Sequence, residues 1–328
     1  MTSVRILGAG WYGCHLALAL SRAGFDVEVH EKADRIFAGA SGHIPARLHG
    51  GAHYPRSHKT RAACQRHTSE FLAVYGHLTR GVPVNLYAIA SDESLVDFDQ
   101  YAATLRGEFP FIPVFEPAEF GLQHVEGAIL TGERHILADK AAQFFEREIG
   151  HLVAFNVNTD GPTSHDWTID CTFCSASAVG VDRYEPCLVL LMEGATDRAV
   201  TIMDGPFPSL YPWDEERGLC SLSSAKWTPF SKDIKTYADA LASLAVIRAE
   251  PQARYFRQDQ MIASMRHFYP AIDDFRVVDH MLSIRAMPLS GADTRLVDVR
   301  EDGRTIRVRA GKIDAVLDAE RAVMDILK

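Results

Sequence analysis

No segment of this chain offers the roughly 20 consecutive apolar residues that a helix needs to cross a bilayer. Cationic residues are not in excess either. The 34 Lys and Arg stand against 43 Asp and Glu, a formal charge of −9, so the electrostatic footprint of a nucleic-acid or anionic-membrane binder is missing. Cysteine is scattered: Cys14, Cys64, Cys171, Cys174, Cys187 and Cys220 follow no framework spacing, which reads as reduced thiols in a cytoplasm. The first apolar run starts a few residues after Met1, leaving no room for a signal peptide. Internal repeats, low-complexity tracts and an obvious linker are lacking too. What remains, 328 residues of which 47% are hydrophobic and 23% charged, fits a soluble globular protein with one large core or two lobes.

The informative stretch is the opening, Val4 to Lys32. Val4 to Leu7 has the continuous apolar character of a buried parallel strand. Gly8, Gly10 and Gly13 follow at G-x-G-x-x-G spacing, His15 to Ala23 carries a helical apolar pattern, and Gly24 ends it. Phe25 to His30 reads as a second strand closed by Glu31. Each part has a role in holding a dinucleotide. Gly8 makes the tight turn, Gly10 lets the backbone approach a pyrophosphate, and Gly13 lets the helix pack close to the strand. The pyrophosphate then faces the open N–H groups and positive dipole end of the helix. Glu31, roughly 20 residues on, is placed to accept hydrogen bonds from the adenosine ribose.

Lys32 to Ser57, rich in Gly and His, reads as a long loop. Helices are expected over Lys59–Leu78, Ser94–Leu105, a segment from a cap at Asp139 to Ile149, Lys232–Leu244, Pro251–Phe268 and Lys312–Leu327. Strands are expected over Val82–Ala90, two short runs within Val125–Leu137, Leu152–Val157, Trp167–Phe173, Leu188–Glu193, Ala199–Asp204, Ser209–Trp213, Cys220–Ser224, Phe275–Ala286, Thr294–Val299 and Thr305–Arg309. A loop with Gly161 and Pro162 separates two of these, and Glu108–Gln123 reads as irregular. A βαβ opening followed by a β-rich middle predicts a nucleotide lobe interrupted by a second lobe.

The opening, then Ala40-Ser41-Gly42, the DWTIDCTF strand and a glycine before the last helix resemble FAD-dependent oxidoreductases of the glutathione-reductase-like fold. The similarity is to the D-amino-acid and glycine oxidase branch and to UDP-galactopyranose mutase relatives. The resemblance implies an α/β fold: a Rossmann-like FAD-binding lobe (residues 1–81, 130–180 and 290–328) with an inserted mixed or antiparallel sheet as substrate lobe (82–129 and 181–289). It implies FAD as cofactor, with Gly8, Ala9, Gly10, Tyr12, Gly13, Glu31, Lys32, Ser41, Gly42, Arg47, Leu48, Thr172, Gly311, Lys312 and Ile313 as contacts. Cys171-Thr172-Phe173 replaces the usual small-residue ending of the late strand, and Gly311-Lys312-Ile313-Asp314 stands where oxidases often carry a Gly-rich loop. Separately, a long Gly-rich loop after the second strand suits an extended, tightly held cofactor better than an exchangeable nicotinamide.

The expected reaction is oxidation of an amine or amino acid by hydride transfer to the flavin, which needs few acid–base residues. The rivals are a redox-neutral enzyme acting on a nucleotide sugar and a flavin-binding protein without turnover. Arg285, His53 and Tyr54 are the candidate catalytic residues. Arg285 leaves a strand and either clamps the anionic group of a small-molecule substrate or forms an internal ion pair with Asp293 or Asp298. His43, His49, His53 and His58 share one loop without a carboxylate partner, which argues for hydrogen bonds to flavin or substrate, or ordinary loop histidines, and against a metal. Tyr54, Tyr211 and Trp213 either wall the site or pack the core, and Arg47 and Arg56 face phosphate or an acidic substrate. Cys171 and Cys174 have redox spacing but fall at a strand end, which favours inert thiols.

Overall fold

β1 (Ser3–Leu7) ends in Gly8, whose φ of +94° only glycine adopts without strain. α1 (Trp11–Arg22) starts with Gly10 as its N-cap, and β2 (Asp26–Glu31) returns parallel to β1. The helix starts at Trp11 rather than His15 because Trp11 and Tyr12 are themselves buried on its inner face. A Cβ on Gly13 would stand 1.9 Å from the Gly8 carbonyl oxygen, so close packing of helix on strand demands glycine there. The structure is a computed structural model and describes residues 1–43, 47–157, 163–175, 180–288 and 296–328. Gly161, Pro162, Asp293 and the expected strand start at Thr294 lie outside the described residues.

The loop after β2 is not without regular structure: α2 (Ala40–His43) and β3 (Arg47–Leu48) interrupt it. α3 (His58–Tyr75) begins where the Ser57 hydroxyl accepts the Thr60 N–H. β4 (Thr79–Gly81), β5 (Val84–Ala90) and α4 (Phe98–Leu105) follow, with Asp97 capping α4, so that helix starts later than Ser94. The segment expected to be irregular holds β6 (Phe111–Val114), an edge strand that tolerates Pro113 because an edge N–H need not be donated. β7 (Val125–Thr131), β8 (Arg134–Ile136) and α5 (Ala138–Ile149) come next; Leu137, not Asp139, is the N-cap of α5, and Asp139 sits in its first turn. β9 (Val153–Phe155) and β10 (Trp167–Asp170) complete this region.

The β-rich middle contains β11 (Val181–Glu193), longer than expected, then β12 (Arg198–Met203), β13 (Pro208–Asp214) and β14 (Leu219–Ser224). α6 (Tyr237–Ala249), capped by Thr236, and α7 (Pro251–Phe268) lead to β15 (Arg276–Pro288), β16 (Asp298–Asp302) and β17 (Thr305–Arg309). A single turn, Ile313–Ala315, then precedes α8 (Val316–Leu327), which therefore starts after Lys312.

Among the described residues the strands form three sheets. The first runs β16-β17-β10-β1-β2-β9, and the chain departs from β1 in both directions, so a crevice opens at the carboxyl ends of β1 and β10. The second, β15-β11-β14-β13-β12-β5-β7-β6, is mixed, and the third is the small β3-β8-β4 sheet. The core against the first sheet is aromatic: Trp11 lies 5.3 Å from both Phe37 and Phe145 and 5.5 Å from Phe71. In the second sheet a row in register, Leu190, Leu222, Leu210, Val200 and Leu86, faces Met261 and Met265 of α7. The opposite face carries Ser209, Thr201 and Tyr87, also in register. That polar face meets β3 and forms one wall of the site.

Candidate cofactor and substrate site

At the carboxyl end of β1 the open backbone groups are arranged for an anion and a sugar. Gly10 offers no capping side chain to α1, whose first turn carries no acid. The Ser41 hydroxyl accepts the Trp11 N–H at 3.0 Å, and a Cβ on Gly10 would come 3.1 Å from that oxygen. Gly42 is obligatory for a different reason, since its Cβ would stand 2.4 Å from the Phe37 carbonyl oxygen. Glu31, buried at the end of β2, accepts the N–H groups of Ala9 at 2.7 Å and Ala33 at 2.9 Å. Each carboxylate oxygen keeps lone-pair capacity for a ribose hydroxyl. Lys32, next in sequence, is exposed.

The other end of the cradle is held by Tyr12. Its hydroxyl donates to the Lys312 carbonyl at 2.6 Å and accepts the Gly311 N–H at 3.3 Å. Tyr12 is thus committed to the backbone of Gly311 and Lys312. Leu48 is buried in the core with Trp11 and Phe71, so its side chain is engaged there. The Thr172 N–H and hydroxyl both donate to Asp170, at 3.0 and 2.7 Å. That tight turn brings Cys171 and Thr172 against Gly8. Burial holds the Cys171 thiol well above the ordinary range and pushes Cys174 up to about 12, so neither is a ready nucleophile.

FAD suits this donor set. Glu31 would take the adenosine ribose; the N-terminus of α1, with Ser41 and Gly42, the pyrophosphate; and Gly311 to Ile313, heading the final helix, the flavin.

Two buried polar clusters adjoin the end of the cradle marked by Lys312. In the first, Arg47 donates to Ser209 at 2.8 Å, Thr201 at 2.9 Å and Tyr87 at 3.3 Å, and stacks 4.2 Å above the Tyr211 ring. Tyr87 in turn donates to Glu133 at 2.6 Å. Burial raises the Glu133 carboxyl above the usual carboxylate range, against the pull of Arg47. The guanidinium of Arg47 is therefore directed at the second sheet, and Arg56 is paired with Asp204 at 2.5 Å.

In the second cluster, Lys312 reaches Asp314 at 3.0 Å, the His49 carbonyl at 3.3 Å and the Cys64 thiol at 3.3 Å. The rings of His49, His53 and Tyr54 converge beside it at 5.3 to 5.5 Å from one another. His58 is turned away, to Glu108 at the surface. Among the described residues no group of three or more His, Cys, Asp or Glu is arranged to hold a metal.

Arg285 stands opposite Glu185 across β11 and β15, on the face that also carries Tyr87 and Thr201. Its Nε and one terminal nitrogen donate to the same Glu185 oxygen at 3.0 and 2.5 Å. Arg285 pairs with Glu185, which cross-strand register places alongside; of the two carboxylates expected as partners, Asp298 serves Arg300 and Arg309, and Asp293 lies outside the described residues. Arg285 remains about one-third open, at 34% exposure. Glu185, Glu133, Tyr87, Thr201, Ser209 and Asp314 were not legible as site residues. The one available signal was the alternation in VNLYAIA, which puts Asn85 and Tyr87 on one face.

Comparison with known proteins agrees with this geometry. Residues 3–150 match the model of the DAO family, FAD dependent oxidoreductase. FAD-dependent monooxygenase FPY4 of Fusarium mangiferae is 32% identical over 340 residues, covering 99% of this chain and 91% of that protein. In structure the chain is similar to glycine oxidase from Geobacillus kaustophilus, with a TM-score of 0.73 at 13% identity over 99% of this chain and 94% of that one. It is also similar to iminodiacetate oxidase from Chelativorans sp. BNC1, with a TM-score of 0.66 at 13% identity over 97% and 92%. The relatives and the glycine-anchored cradle lead to one conclusion: the chain belongs to the DAO family of FAD-dependent oxidoreductases, and its cofactor is FAD.

Proposed function

We propose that this enzyme oxidises an amine or amino acid, removing hydride from the carbon that bears nitrogen. FAD, when bound, supplies the acceptor for that electron pair. The observation that carries the reading is Arg285, one-third open on the polar face of the second sheet and braced by buried Glu185. Its remaining N–H groups, which make no hydrogen bond among the described residues, are available to grip the carboxylate of a small anionic substrate, while Glu185 keeps the guanidinium from turning. α2, which carries Ser41 and Gly42 of the cofactor cradle, packs against β15, the strand of Arg285. The names of the structural relatives, glycine oxidase and iminodiacetate oxidase, support amino-acid chemistry on this fold. The sugar-nucleotide rival draws no such support. No helix of the described residues is long and apolar enough to cross a membrane, and we place the enzyme in the cytoplasm.

The test is an anaerobic screen of the yellow holoprotein against amines, amino acids and nucleotide sugars. Loss of the 450 nm band with an amino acid, and an imine or its hydrolysis products in solution, is expected. Bleaching by none of the amines or amino acids ends the reading. A second reading, oxygen insertion into the same substrate, is favoured by the name of the fungal relative; transfer of labelled oxygen from dioxygen into product distinguishes it.

Arg285→Lys keeps the charge and loses the fork. With a substrate in hand, it is expected to raise KM at least tenfold while FAD stays bound. If KM is unchanged and only the melting temperature falls, Arg285 is no more than half of an ion pair.

A further inference from the structure

Lys312 is nearly buried, at 10% exposure, and its ammonium reaches three elements at once. Asp314, two residues on, sits at 3.0 Å. The His49 carbonyl, at 3.3 Å, belongs to the loop between β3 and α3, and the Cys64 thiol, also at 3.3 Å, belongs to α3. Nδ1 of His49 lies 3.5 Å away. Thr68 of α3 reaches the same His49 carbonyl at a longer 3.4 Å. The backbone of Lys312 is fixed independently by Tyr12 at 2.6 Å. A charged side chain on a pinned backbone therefore ties the histidine loop to the turn that heads the final helix. Burial opposes the charge most strongly of any one cause, but the surrounding groups, Asp314 foremost and Cys64 and Tyr54 after it, together hold the lysine pKa above its ordinary value.

We propose that Lys312 is a positioning residue: its ammonium holds the His49–Tyr54 loop against the Gly311–Ile313 turn, so that His53 and Tyr54 stand beside the flavin. The order in the loop passes through the rings. His49, held by its carbonyl, lies 5.5 Å from His53 and 5.4 Å from Tyr54, and His53 meets Tyr54 edge-on at 5.3 Å and 88°. Lys312 and Thr68 both donate to the His49 carbonyl, and the lysine is the charged one. The neighbouring cation Arg47 is engaged elsewhere, with Ser209 and Thr201. This inference deepens the proposed site and borrows from that reading only the use to which the loop is put.

Removing Lys312 alone strands the buried Asp314 charge, whose Oδ1 already has no partner among the described residues, and risks unfolding. The decisive variant is therefore Lys312→Met with Asp314→Asn, which deletes both charges, compared with Lys312→Arg, which keeps the charge and the donors. The measurement is amide hydrogen exchange followed by mass spectrometry on wild type and variants, each loaded with FAD. In the double variant, peptides spanning residues 49–54 are expected to exchange at least tenfold faster, while those of β1, α1 and α8 are unchanged. Lys312→Arg is expected to restore protection. The proposal is overturned if 49–54 stays protected in the double variant, if protection is lost evenly over the protein, or if Lys312→Arg behaves like the double variant. None of these readouts uses a substrate, so an error in the proposed reaction would show separately, in the anaerobic screen.

Discussion

Gly13→Ala is expected to give a protein without flavin that melts far below wild type. The added Cβ would lie 1.9 Å from the Gly8 carbonyl oxygen and 3.1 Å from its carbon. Both atoms are backbone, so no rotamer change relieves the clash. Either α1 lifts off β1 or the Gly8 turn deforms, and each displaces the helix N-terminus that should face the pyrophosphate. Core overpacking ordinarily costs about 1–3 kcal/mol; a clash with rigid backbone belongs to the exceptional range, on the order of 4–5 kcal/mol. Thermal melts give the stability, and the ratio of 450 to 280 nm absorbance gives the flavin content. Wild-type melting with full flavin would show that the helix does not pack as closely as described.

The second large effect is expected at Glu31. Its carboxylate takes the N–H groups of Ala9 and Ala33, at 2.7 and 2.9 Å, before any ribose is considered. Glu31→Ala leaves the buried Ala9 donor and the part-buried Ala33 donor without that acceptor, at up to roughly 1–3 kcal/mol each, and removes the expected ribose contact as well. A charge-assisted hydrogen bond contributes about 1.5–3 kcal/mol, so FAD affinity should fall at least tenfold. Titration of FAD into stripped protein reads the affinity. An unchanged dissociation constant with lowered stability would confine Glu31 to its two backbone contacts. Glu28 is a poor substitute, since it is already paired with His30 and His165 at 3.1 and 3.2 Å.

These two residues were legible in the sequence because their partners are local. Gly8, Gly10, Gly13 and Glu31 sit within one βαβ unit, where the period of the apolar pattern and the spacing of the glycines report geometry directly. The second sheet was readable as strands for the same reason. Its edge strand at Phe111–Val114 was not, because Pro113 and the flanking aromatics mask the alternation. The polar clusters were illegible for another reason. Arg47 meets Thr201 across 154 residues, Arg285 meets Glu185 across 100, and Lys312 meets Cys64 across 248. Such pairs follow from sheet order and register, which no local pattern encodes. The Arg285 ion pair shows the limit: the cost of a buried guanidinium made a pair one of two readings beside a substrate clamp, while its partner follows only from the pairing of β11 with β15.

The bridge from Tyr12 to Gly311 has a consequence for how the enzyme is made. The two residues are 299 positions apart. At roughly 5–20 residues per second of synthesis, Tyr12 waits on the order of 15–60 s before its partner Gly311 exists. During that interval the sheet behind the cradle is itself incomplete, since β1 pairs with β10 and β10 with β17. The contact that closes the cradle on Tyr12 is thus made only after Gly311 has been synthesised, and full retention of FAD is expected from then on.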